Sequence, residues 1–75
     1  MSLHDRIMET MRTNPGKEWT CREILDIIQP GLAQWERNGP LKNINTALHR
    51  AVKYGCVQQT GKGHRGHPST WRLAE

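Results

Sequence analysis

A mainly α fold with a small β-hairpin (α+β), three helices and a two- or three-stranded antiparallel sheet, is the architecture that the sequence predicts. Three observations lead there. Apolar residues recur at helical spacing in three separate stretches. Proline and glycine clusters punctuate the intervals between them. Two strand-like runs then flank a glycine-rich tip over residues 56–73.

Ser2 is a good N-cap, and Leu3, Ile7 and Met11, with Met8 beside them, give one apolar face to a helix over 3–13. Asn14-Pro15-Gly16 ends it. Trp19 follows in a short strand over 18–19. Thr20-Cys21-Arg22-Glu23 has the capping-box pattern, in which Thr and Glu satisfy each other's free backbone amides, so a second helix spans 21–29. Ile24, Leu25, Ile27 and Ile28 form its buried stripe until Pro30-Gly31 stops it. Residues 30–39 form a loop in which Leu32 and Trp35 are pinned to the core or make a short helical turn. Pro40 opens a third helix over 40–54, closed by Gly55. Residues 56–73 make a hairpin, with Gly61–Pro68 as its tip.

A chain of 75 residues holds one domain, 1–75, with no room for a second core. Only 35% of residues are apolar and none is Phe, so Trp19, Trp35 and Trp71 must supply bulk. No run approaches the ~20 apolar residues that a bilayer span requires. No charged-then-apolar leader pattern opens the chain, so a cytoplasmic setting is expected. Two cysteines, Cys21 and Cys56, are too few for a small secreted scaffold and read as reduced, partly buried thiols. A metal site joining them to His64 and His67 would need ligands from a glycine-rich tip and contains no Cys-x-x-Cys pair. No metal and no cofactor are expected.

The net charge of +4 is unevenly placed. Residues 1–40 hold five Lys/Arg against six Asp/Glu, whereas residues 41–75 hold six against Glu75 alone, together with three of the four histidines. A polyanion would meet the C-terminal half. At 100° per residue, Ile44, Ala47, Leu48, Ala51 and Val52 take the inner side of the third helix. Lys42, Thr46, His49, Arg50 and Lys53 take the outer side, with Asn43 and Asn45 at its edges and no acid among them. Arg50, Asn43, Asn45 and His49 carry donors and acceptors suited to base edges in a major groove, and the Arg50 fork matches both acceptors of guanine. Lys42 and Lys53 suit phosphates, and Thr46 is small enough for close approach to a thymine methyl.

The element order, the run Ile44-Asn45, Leu48, Lys53, Gly55, Val57, and the glycine-rich tip followed by Trp71 and Leu73 resemble the winged helix-turn-helix superfamily over nearly the whole chain. The resemblance implies a third helix lying in the major groove of double-stranded DNA and a hairpin wing on the flanking backbone or minor groove. Lys62, His64 and Arg65 become the wing contacts. Size and layout are similar to small bacterial or phage regulators, including fimbrial-operon regulators. Lys42, Asn45, Pro68 and Trp71 also resemble the Zα domains that bind left-handed DNA, although His49 stands where those carry Tyr and the wing is longer. The Trp35 connection with its Gly-Pro is similar to HARE-type winged helices.

Catalysis finds no footing in the sequence. No carboxylate pair or base-activated nucleophile stands out. Gly61-Lys62-Gly63-His64-Arg65-Gly66 leads into a strand, so it offers no helix N-terminus for a phosphate. The expectation is therefore a non-enzymatic, DNA-binding transcriptional regulator. Its alternative is a protein-interaction module using the Trp35 loop or the wing. With no spare dimerisation helix, a monomer is expected in solution, with dimer formation on DNA open.

Overall fold

The computed structural model describes residues 2–63, 66 and 68–74. In chain order they form α1 (Leu3–Arg12), α2 (Cys21–Ile28), a 3-10 turn (Gln34–Glu36), α3 (Asn38–Lys53), β1 (Val57–Gly61) and β2 (Thr70–Leu73). Mainly helical with one small antiparallel hairpin, the described residues have the layout of a winged helix.

Local chemistry sets the helix ends. Ser2 Oγ accepts the Asp5 N–H at 3.2 Å and starts α1. Both halves of the capping box are present at α2: Thr20 Oγ1 accepts the Glu23 N–H, and Glu23 Oε1 accepts the Thr20 N–H, each at 3.2 Å. α3 ends in a Schellman motif, with the Cys56 N–H on the Ala51 carbonyl and the Gly55 N–H on the Val52 carbonyl. Gly55 sits at φ +80°, where a Cβ would crowd the backbone.

The sheet pairs Val57 with Leu73, Gln58 with Arg72, Gln59 with Trp71 and Gly61 with Thr70, with a bulge between Gln59 and Gly61. Trp19 adds a single-residue antiparallel bridge on the other edge of β2, its N–H on the Trp71 carbonyl at 2.6 Å and the reverse bond at 2.8 Å. The strand expected over 18–19 is thus one bridged residue, because only Trp19 reaches the ladder.

One core joins the three helices and the hairpin. Ile7, Met8 and Met11 of α1, Trp19, Ile24 and Leu25 of α2, Ile44, Leu48 and Ala51 of α3, and Val57, Trp71 and Leu73 of the hairpin are all buried in it. Trp71, fully buried, ties the sheet to the helices.

Several expectations need correction. α3 begins at Asn38 rather than Pro40, so the loop expected over 30–39 is shorter and contains the 3-10 turn. Arg37, at the N-cap, is anchored to the Asp26 carboxylate at 2.9 Å and donates from Nε to the Leu32 carbonyl at 3.4 Å, which fixes the chain before the helix starts. Pro40 then falls in the first turn, where the missing N–H is no loss, and the residue before it is Gly39, whose lack of Cβ relieves the clash with the proline ring. α1 and α2 each end one residue earlier than expected. Ile27 is 54% exposed rather than buried, because it sits on the flank of α2 beside the polar Arg6, Glu9 and Thr13 of the α1 segment. Val52 lies at the edge of the apolar stripe of α3 and is 37% exposed. Leu32 packs against the core, but Trp35, on the 3-10 turn, is 81% exposed.

Candidate nucleic-acid interface

The outer surface of α3 is built by the same arithmetic that builds its core. Burial of Ile44, Leu48 and Ala51 fixes the rotation of the helix, and Lys42, Asn43, Asn45, Thr46, His49, Arg50 and Lys53 are all exposed. Sixteen residues at about 1.5 Å each make a rod about 24 Å long, and a helix with its side chains is about as wide as a major groove. Among the described residues no carboxylate lies within ion-pair distance of Lys42, Arg50 or Lys53.

The side chains divide into a crest and two flanks. Thr46 donates its hydroxyl proton to the Lys42 carbonyl at 3.0 Å, so its methyl group and a lone pair are what it can offer a ligand. On one flank, Asn43 and Arg50 face the start of α1 across a cleft that Tyr54 also lines. On the other, Lys42 and Asn45 border a cleft of about 470 Å3 shared with Thr20, Cys21 and Arg22 of the α2 start and with Pro68 and Ser69. That second cleft brings the wing's return and two cations to one place, which residue spacing alone did not indicate.

His49 has a second role that the helical projection missed. Its ring meets the buried Trp71 ring edge-on, with centroids 4.9 Å apart and planes at 89°. His49 is therefore oriented by the core beneath it while remaining exposed. A contact between α3 and β2 depends on the packing of the hairpin, so no local signal could have revealed it.

Beside this pair, the Cys21 thiol approaches Asn45 Oδ1 at 4.0 Å, a long and weak contact. Burial pushes the thiol up from its ordinary value. The Trp71 indole N–H pulls the other way without reaching bonding geometry, for Trp71 Nε1 is buried with no hydrogen-bond partner among the described residues. Cys21 thus stays a neutral thiol near pH 7. Both cysteines are free and half-buried.

In the wing, Lys62 is exposed next to β1, and the Gly63 N–H is held by Ser69 Oγ at 2.8 Å. His64, Arg65 and His67 lie outside the described residues, and with them the remaining wing contacts and the His64/His67 metal hypothesis. Among the described residues no group of three or more His, Cys, Asp and Glu could hold a metal ion, and no helix is long and apolar enough to cross a membrane. Comparison with protein families, curated proteins and solved structures returns no match for this chain.

Proposed function

We propose that the chain is a winged helix-turn-helix protein that binds double-stranded DNA and acts, without catalysis, as a small transcriptional regulator in the cytoplasm, at the nucleoid of a bacterium or on behalf of a phage. α3 enters the major groove, where Asn45, Thr46 and His49 meet base edges while Lys42 and Lys53 hold phosphates. Lys62, His64 and Arg65 follow the backbone from the wing. The observation that carries this reading is the outer face of α3: three cations, four hydrogen-bonding side chains and no acid on a helix locked to the core by its other side.

A mobility-shift titration of a mixed-sequence duplex tests it. Binding is expected at about 50 mM salt and should fall by orders of magnitude toward about 200 mM, because each neutralised phosphate releases counterions. Absence of binding at the lower salt with protein in large excess would refute the reading.

One observation favours a second reading. Trp35, a large aromatic with 81% of its surface exposed on a turn stapled to α2 by Arg37, has the form of an anchor for a protein partner. Competitor DNA separates the two readings, since it would leave a Trp35-mediated complex intact.

A further inference from the structure

The flank of α3 that faces α1 holds a cleft of about 540 Å3 whose polar lining comes from Ser2, His4, Asn43, Thr46, Arg50 and Tyr54. No acidic side chain lines it. Asn43 and Arg50 lie seven residues apart, two turns along the same side of the helix. Ser2 is the N-cap of α1 and His4 lies in its first turn, and α1 packs on α3 through the common core, so the two walls are held at a set distance. Arg50 is exposed and pairs with no carboxylate among the described residues.

A helix in the major groove presents its crest to the base edges, and its flanks to the sugar-phosphate strands that border the groove. Arg50 stands on a flank. Its planar fork fits a phosphate in a bidentate manner as well as it fits guanine, and the surrounding hydroxyl, amide and imidazole groups can hydrogen-bond the same group. The cleft is too large for a bare ion and falls in the range that accommodates a phosphodiester with its sugars.

We infer that this cleft, resting on the DNA-binding reading above, clamps a backbone phosphodiester of the strand bordering the groove. Arg50 is the charged arm, and Asn43, His4 and Tyr54 are the hydrogen-bonding walls. Arg50 thus sets the register of the protein on the duplex instead of reading a guanine, the role its position in the sequence suggests.

The test measures affinity across a salt series for a duplex selected from a random pool and for an unselected duplex, using the full chain. Arg50→Ala should weaken both duplexes by the same factor, about tenfold at low salt, and lower the salt slope by about 0.9. Arg50→Lys should restore the slope but only part of the affinity. Asn43→Ala, which removes no charge, should weaken both about threefold and leave the slope unchanged. If Arg50→Ala abolishes the preference for the selected duplex and spares the other, Arg50 reads a base and the inference falls while DNA binding stands. If the wild-type chain binds neither duplex, the DNA reading falls and takes the inference with it. If inorganic phosphate shifts the Arg50 Nε–Hε resonance as strongly as duplex does, the cleft is a free-phosphate site and the inference is overturned.

Discussion

The cations of the two loops that flank α2 are paired with its carboxylates, and those of α3 are not. Lys17 holds the Glu23 carboxylate at 2.7 Å and lies 4.4 Å from the centre of the Trp19 ring, and Arg37 holds Asp26 at 2.9 Å. Each of these pairs fastens a connecting segment to α2. On α3, Lys42, Arg50 and Lys53 have no such partner among the described residues, and the helix carries no acid of its own. The difference teaches where to look for a polyanion. A cation already neutralised by a neighbour must break that pair to bind phosphate, whereas a free one only exchanges its hydration and releases condensed counterions from the DNA.

The strongest way to break the comparison is to remove what both regions lean on. Trp71 is fully buried, bridges to Trp19 and supports the His49 ring, so Trp71→Ala should cost about 3–5 kcal/mol in urea unfolding, most of the stability expected of so small a domain. A loss below about 1 kcal/mol would mean that the hairpin is not anchored through this side chain.

A sharper contrast comes from matched double variants. Lys42→Ala with Lys53→Ala should reduce the salt slope of DNA binding by about 1.8, while Lys17→Ala with Arg37→Ala should leave it nearly unchanged. Equal slopes from the two pairs would erase the distinction drawn between paired and free cations.

Smaller effects belong to the fastening of α2. Thr20→Ala removes half of the capping box and should lower stability by about 1 kcal/mol, read as a shift in the denaturation midpoint.

The smallest effect is a pH dependence. Lys17 beside Glu23 holds its carboxyl below the ordinary carboxylate value, helped by hydrogen bonds from Thr20. A carboxyl depressed in the folded state adds stability that is present above its unfolded pKa and is lost as pH falls through the folded one. Both partners are well exposed, with side chains at 38% and 40%, so solvent screens the pair and the contribution should stay well under 1 kcal/mol. Denaturation midpoints at about pH 6 and about pH 3 check it. Lys17→Met should flatten the difference between the two pH values, and an unchanged difference would show that the ion pair is not its source.

Much of the molecule was legible in the chain because the relevant forces are local. Caps at Ser2 and Thr20 and the glycine stop at Gly55 act over three to five residues, so three helices could be placed to within two residues at each end. The outward set on α3 follows from helical periodicity once Ile44 and Leu48 are known to be buried. Ile27 and Val52 were misjudged because hydrophobicity does not say how far a neighbouring element extends over a flank.

Determined by the sequence itself were the order of the elements, the apolar side of each helix and the concentration of cations, against a single acid, in the C-terminal half. These depend on spacing and composition. What only the tertiary structure decided were relations between distant residues: Arg37 reaching Asp26 and so starting α3 early, His49 resting on Trp71, and Arg50 sharing a cleft with His4. Such contacts arise when helices and hairpin close around one core, and that packing is a property of all the elements together rather than of any one segment.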